Sequence, residues 1–141
     1  MPEPGEVYWT LGDPRPCIVV SREELNRGDY IVGVLLTTQR VQERRSLPNC
    51  VPFQTGEFGL TKDCVAQAES ITMIAKDNLD LARGRSGALT DERFRDLVRA
   101  IGHVISSDCE PVSVGVKIVV ACRSCFGFMP RPPLARDRFP G

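Results

Sequence analysis

The sequence predicts a mainly β fold with α: a small, strongly bent antiparallel sheet or barrel with one C-terminal helix packed on it. Three observations predict it. Six short segments rich in β-branched and aromatic residues, separated by turn chemistry, fill the stretch from Val7 to Ile74. A single run with helical spacing follows, with Phe94, Leu97, Val98, Ile101 and Ile105 on one face. Tyr30–Leu36 is the longest apolar run, and its continuity marks a strand covered on both faces at the centre of the sheet. Nothing in the chain repeats.

Taken in order, Val7–Leu11 has the composition of a first strand, and Gly12-Asp13-Pro14 is turn chemistry. Arg15 stands between two prolines that restrict its backbone. Cys17–Val20 is a second buried strand, closed by Ser21, and Arg22–Asp29 is a polar connection. The long strand from Tyr30 stops abruptly in Thr37, Thr38, Gln39 and Arg40, so its polar end is held at the rim of the sheet by the core behind it. Gln39–Ser46 reads as a basic loop. Cys50–Phe53 is a short strand that Pro52 confines to an edge. Asp63–Ala68 and Ile71–Ile74 read as two more strands, and Asn78–Ala82 as a short helix. Thr90 is the N-cap of the main helix, with Asp91 and Glu92 in its first turn.

At 141 residues the chain accommodates a domain over 1–106 and a C-terminal extension over 107–141. Val112–Val120 reads as one more strand. The segment from Phe126 holds four of the 11 prolines and three arginines, so the extension is expected to be poorly ordered there. Residues 110–141 carry five Lys or Arg against two acids, which makes the body before them correspondingly acidic.

Charge and composition exclude several classes. Formal net charge is zero, so no global field directs the protein to nucleic acid or membrane, and a polyanion site must be a local patch. No apolar run reaches the roughly 18 residues of a membrane span, and the acidic N-terminus is unlike a signal peptide. The six cysteines therefore read as thiols of a cytoplasmic protein, with Cys17 and Cys64 in the core. No phosphate-cradling glycine loop, Gly-x-Ser-x-Gly elbow or His-Glu-x-x-His is present. The sole histidine, His103, is a helix histidine, which excludes histidine-pair nuclease chemistry. Cys122-Arg123-Ser124-Cys125 has half-knuckle spacing, but only Cys109 and His103 stand near it as partners, so no metal and no cofactor is expected.

What remains is an ordered set of motifs: Gly5-Glu6-Val7-Tyr8-Trp9, Arg15-Pro16-Cys17-Ile18-Val19-Val20-Ser21, Thr37-Thr38-Gln39, Gly59-Leu60-Thr61-Lys62-Asp63-Cys64-Val65-Ala66 and Ala88-Leu89-Thr90-Asp91-Glu92. Together they resemble the MazF/PemK (Kid) toxins of bacterial type II toxin–antitoxin systems, in order from Gly5 to Ile105. The resemblance implies an SH3-like bent antiparallel barrel (PemK/CcdB-like) and a homodimer. It also implies a metal-independent endoribonuclease of single-stranded RNA, often mRNA, restrained by a cognate antitoxin. By that resemblance Arg15 and Thr37 are the catalytic residues. The chemistry suits them, because RNA supplies its own nucleophile in the ribose 2′-hydroxyl, leaving a 2′,3′-cyclic phosphate and a 5′-hydroxyl end. An arginine fork and a threonine hydroxyl can stabilise the phosphorane between. Thr38, Gln39, Arg40, Arg44 and Arg45 follow directly and are the expected RNA-binding residues.

The chain departs from the family pattern in three places. Only Gly12-Asp13-Pro14 precedes Arg15 where relatives carry a longer loop, often with a Glu-Gln pair. Cys64 stands where serine is common, and the segment after Ser106 has no counterpart. Two other classes stay open on the sequence alone. One is a CcdB-like gyrase-binding toxin; the other is a catalytically degenerate member acting as a binding module.

Overall fold

The computed structural model describes residues 1–105 and two further strands, over 110–114 and 117–121. Its contacts divide the chain into two units, Met1–Val104 and Ile105–Gly141. In the first unit the strands are β1 (Glu6–Trp9), β2 (Pro16–Val19), β3 (Tyr30–Thr37), β4 (Cys50–Phe53), β5 (Cys64–Ala75) and β6 (Gly87–Ala88). Two single-turn helices, α1 (Glu23–Asn26) and α2 (Val41–Arg44), lie in the connections flanking β3, and α3 (Asp91–Val104) follows the sheet. All six strands form one antiparallel sheet in the order β4-β5-β3-β2-β1-β6, curled into a half-barrel. The expected fold class is the observed one.

Alternation along the strands builds a core on each face of the sheet. Val7, Ile18, Val34, Leu36, Ala66, Val51 and Phe53 pack with Leu97 and Ala100 of α3 on one side. Tyr8, Cys17, Val19, Ile31, Ile74 and Leu79 form a separate cluster on the other. Strand β3 contributes to both, which is why its sequence is continuously apolar. Thr90 caps α3 as expected, its Oγ1 accepting from Arg93 N–H at 3.3 Å. The Arg93 guanidinium then lies 4.5 Å over the Phe53 ring and donates to the Pro52 carbonyl, which fastens the helix to edge strand β4. His103 is exposed on the helix.

Four elements differ from the sequence reading. Strands expected at 63–68 and 71–74 are one strand, β5, interrupted by a register shift opposite Val34–Leu36. There Ser70 Oγ donates to the Leu35 and Gln67 carbonyls at 3.0 and 2.7 Å, so a side chain replaces the missing ladder bonds. No α-helix forms over Asn78–Ala82; a single 3₁₀ turn, Lys76–Asn78, ends at its first residue. Leu79 instead bridges Thr10 past the end of β1, with Leu11 N–H bonded to Asn78 O and Asp80 N–H to Trp9 O, both at 2.8 Å, and Leu81–Ala82 enter a turn. The loop after Gln39 contains α2. In the second unit, the single strand expected over Val112–Val120 is a hairpin of β7 (Glu110–Val114) and β8 (Lys117–Ala121), with Val112 opposite Val119. Gly115 falls between them in the sequence, where a strand breaker belongs. The expectations for Cys109, Cys122, Cys125 and the segment from Phe126 lie outside the described residues. No helix among the described residues is long and apolar enough to cross a membrane.

Two buried polar groups fix the N-terminal end of the sheet. Asn26, fully buried, donates to Pro2 O and Ser21 O at 3.0 and 2.9 Å and accepts from Ser21 Oγ. Glu6, also buried, accepts from Glu3 N–H (2.9 Å) and Tyr8 OH (2.8 Å) and pairs with Arg85 at 2.8 Å. Burial by itself would lift the Glu6 carboxyl; the bonds from Glu3, Tyr8 and Arg85 outweigh it and hold the group below the ordinary carboxylate range. A lowered native pKa means that this stabilisation is complete at neutral pH. It is lost as pH falls below about 4 and through the native value. Acid titrations of unfolding are therefore expected to be flatter below about pH 4 in Glu6→Gln than in the wild type, from a lower plateau at neutral pH.

Candidate active site

The β1–β2 connection is as short as the sequence suggests, and one side chain organises it. Thr10 Oγ1 donates to Asp13 O at 2.7 Å and accepts from Arg15 N–H at 3.0 Å, while Thr10 N–H bonds Arg15 O at 3.0 Å. Gly12 takes φ +81 to close the turn. Pro14 and Pro16 restrict the backbone on either side of Arg15. Its side chain is about half exposed and rests through Nε on Asp13 Oδ2 at 2.9 Å. Among the described residues its two terminal nitrogens have no hydrogen-bond partner, so the outer fork of the guanidinium faces solvent.

Thr37 closes β3. The β2–β3 pairing ends at Cys17 and Leu35, two residues short of Arg15 and Thr37, and both of these side chains line one groove. Thr37 Oγ1 accepts from Gln39 N–H at 3.2 Å, which orients the hydroxyl and leaves its own proton to donate elsewhere. Arg40 then adopts a left-handed conformation, φ 53, and turns the chain into α2.

The third wall comes from the β4–β5 loop. Gly59, at φ +76, presses against the Ser86 backbone, and buried Leu60 anchors Thr61 and Lys62 beside the end of β3. These three segments enclose a groove of about 340 Å³. Arg15, Thr37, Thr38, Gln39 and Lys62 supply its polar surface, and Leu36, Leu60 and Cys64 its apolar floor. Arg15 and Lys62 outweigh Asp13, so the groove is net positive. Burial, with Asp63 and Glu57 adding to it, pushes the Cys64 thiol up to about 11, and burial alone takes Cys17 to about 12. Neither is a thiolate at neutral pH, and the reactive surface of the groove is made of hydrogen-bond donors. Trp9 lies at one end, with the Arg83 guanidinium 4.7 Å over its ring.

Four of the seven residues singled out from the sequence thus share the groove. The other three do not line it. Arg44 donates to Gln39 O at 3.3 Å and Gln67 Oε1 at 3.1 Å, a strut beneath the Thr37–Gln39 turn. Arg45 bonds Gln42 Oε1 at 3.3 Å and lines a separate cleft. Arg40 is exposed at the turn itself. Lys62 escaped the sequence reading of the site, although it stands in the Gly59–Ala66 motif. Its signal was a cation in that motif between the loop glycine and the next strand.

The family model described as PemK-like, MazF-like toxin of type II toxin-antitoxin system matches residues 3–105. An endoribonuclease from a mycobacterial species, solved in complex with its cognate antitoxin, is similar with a TM-score of 0.60. The two share 26% identity over 73% of this chain and 93% of that one. The Mycobacterium tuberculosis toxin MazF-mt6 has the same fold, with a TM-score of 0.58 and 22% identity over 70% and 93% of the two chains. So does MazE-MazF from Deinococcus radiodurans, at 0.59 and 14% identity over 74% and 95%. No curated protein matches the chain. With a half-barrel and terminal helix of this topology, and a family match across 103 of its residues (3–105), the chain belongs to the PemK-like, MazF-like toxins of type II toxin–antitoxin systems.

Proposed function

We propose that the groove binds single-stranded RNA and that the chain is an endoribonuclease cleaving it through the ribose 2′-hydroxyl. One observation supports the reading: a guanidinium with its outer fork unpartnered among the described residues lines the same groove as an oriented threonine hydroxyl. Attack of the 2′-oxygen on the adjacent phosphorus forms one P–O bond and breaks the bond to the 5′ oxygen. The 2′-hydroxyl gives up a proton, the 5′ oxygen gains one, and the ends are a 2′,3′-cyclic phosphate and a 5′-hydroxyl. Arg15, a guanidinium, acts as a fixed cation and donor to the non-bridging oxygens rather than as a base. Thr37 donates to the same developing charge, its rotamer restricted by β-branching. Solved toxin–antitoxin complexes among the similar structures support a cognate antitoxin as partner. We infer a homodimer from the family resemblance, with a dimer mass in light scattering at micromolar concentration as its check. Acting on mRNA, the toxin would work in the cytoplasm.

The test is incubation of the purified protein with defined single-stranded RNA in EDTA, followed by end mapping. Cyclic phosphate and 5′-hydroxyl ends, undiminished by the chelator, are expected. A 3′-hydroxyl with a 5′-phosphate, or loss of activity in EDTA, would overturn the reading. RNA or protein binding without cleavage would point instead to one of the two non-catalytic classes.

Salt dependence tests the substrate contacts. Lys62 lines the groove and Arg40, exposed, follows Gln39 of its lining, which supports both as contacts for phosphates flanking the scissile one. Replacing the pair by glutamine is expected to lower the log–log salt slope of RNA affinity by about 1.4, at roughly 0.7 per contact, with turnover at saturating RNA unchanged. Arg44→Gln is expected to behave differently and lower turnover, because Arg44 supports the Gln39 turn.

A further inference from the structure

Beside the groove lies a second cleft, of about 280 Å³, that the proposed reaction does not use. The two are divided by a thin rib of chain. Lys62 lines the groove and Asp63, the next residue, lines the cleft; Gln39 and Val41 do the same on either side of Arg40. The linings of the two are thus sequence neighbours at two places, and a strand bound in the groove would have this cleft beside it.

The cleft is chemically two-ended. Asp63 Oδ1 accepts from Thr55 N–H at 2.7 Å and from Thr55 Oγ1 at 2.8 Å, which fixes the plane of the carboxylate. Those two bonds, with Arg45 adding a smaller contribution, hold the group below the ordinary aspartate range. Its second oxygen, Oδ2, has no hydrogen-bond partner among the described residues. Arg45 supplies the opposite charge, steadied by Gln42 at 3.3 Å. Val41 and Pro52 give apolar surface to lie against.

Such a cleft selects its ligand by elimination. A phosphate or carboxylate meets Asp63, and a free cation meets Arg45. A flat, neutral group with donors on one edge and acceptors on another satisfies both. Among nucleobases guanine offers the fullest match, with N1–H and the 2-amino group as adjacent donors and O6 and N7 as the acceptor pair that arginine favours. We propose that this cleft is a guanine subsite flanking the scissile phosphate, with Asp63 Oδ2 accepting from N1–H and the 2-amino group and Arg45 donating to O6 and N7. Asp63 and Arg45 then set the sequence preference of cleavage. The role in cleavage rests on reading the groove as an RNA site; the base preference of the cleft does not.

Two measurements keep those claims apart. Binding of GMP, AMP, CMP and UMP to the full chain reads the subsite without any cleavage. GMP is expected to bind at least fivefold tighter than the others, the lower end of what a matched base-edge contact contributes. Asp63→Asn is expected to abolish that preference. Asparagine keeps an acceptor for Thr55 but presents a donor where Oδ2 stood, so the loop stays formed while the recognition chemistry inverts. Arg45→Gln, at an exposed position, is expected to weaken the preference in its own right. The second measurement is cleavage of a randomised single-stranded RNA library. Wild-type cuts are expected to carry guanine at one fixed position within two nucleotides of the cut, and Asp63→Asn cuts are not. Equal binding of all four nucleotides, a preference for another base, or a preference unchanged in both variants overturns the subsite. Selective GMP binding by a protein that cleaves no RNA leaves the subsite standing and overturns the groove reading.

Discussion

Arg15→Ala is expected to slow cleavage of single-stranded RNA by roughly 10³-fold, about 4 kcal/mol of transition-state stabilisation, the upper end of the cost of removing one preorganised donor. The upper end applies because the lost group is a charged fork matched to phosphate oxygens. Folding should hardly change. The side chain is half exposed, its one ion pair is with exposed Asp13 at 2.9 Å, and surface pairs of that kind contribute little. The turn itself depends on Thr10 and on the Arg15 main chain, which alanine retains. Arg15→Lys separates charge from geometry: it restores the cation but not the planar fork, and should recover only a minor part of the rate. Thr37→Ala is expected to cost about tenfold less than Arg15→Ala, and its effect is mixed, since the hydroxyl also holds Gln39 N–H. Initial rates and thermal melts on the same preparations check these outcomes. A fully active Arg15→Ala would end the mechanistic assignment.

Gly59→Ala is expected to produce the largest loss of stability, about 3 kcal/mol, or roughly 10 °C in Tm. Two costs combine there. The residue sits at φ +76, and a methyl group added to it would come 2.2 Å from the Ser86 carbonyl oxygen, which is main chain and cannot swing away. Gly87 tells the same story from the other side, its added carbon meeting Phe58 O at 2.4 Å. These two backbones touch because neither carries a side chain at the crossing. Gly56, in the same loop at φ +93, has open space around it. Gly56→Ala therefore carries only the conformational cost, about 1 kcal/mol. Denaturant melts of the two variants isolate the close approach. Equal losses would mean that it contributes nothing. Because Gly59 leads into Leu60, Thr61 and Lys62, its substitution should also disturb the groove and depress activity.

The elements legible in the sequence were those whose pattern is local. Helix α3 announced itself through its apolar spacing and the Thr90 cap, β3 through unbroken apolarity, and edge strand β4 through Pro52. The errors came where distant chain supplies the hydrogen bonds. Glu69-Ser70 looks like a break between strands, yet Ser70 bonds the Leu35 carbonyl and lets β5 continue. Asn78–Ala82 has helical composition, but the end of β1 takes its main-chain bonds. The site divides in the same way. Arg15 and Thr37 stand out through motif and resemblance, and both line the groove at the ends of neighbouring strands. Lys62 joins them through a loop whose position depends on the contact between Gly59 and Ser86, some 27 residues away in the chain. No window of sequence contains that contact. Arg44, singled out for its charge, is half-buried, bonds Gln39 O and Gln67 Oε1, and does not line the groove.

In the proposed reaction RNA supplies the nucleophile and the groove supplies the charge stabilisation. A single 2′-deoxy substitution tests it most directly. With the cut site mapped in a defined RNA, the ribose on the 5′ side of the scissile phosphate is replaced by deoxyribose and every other residue is left unchanged. Cleavage at that bond is expected to disappear while affinity for the oligonucleotide stays within a few fold of the parent. Continued cleavage at the same bond, with a 5′-hydroxyl or a 5′-phosphate on the product, would mean that the nucleophile comes from elsewhere and would contradict it.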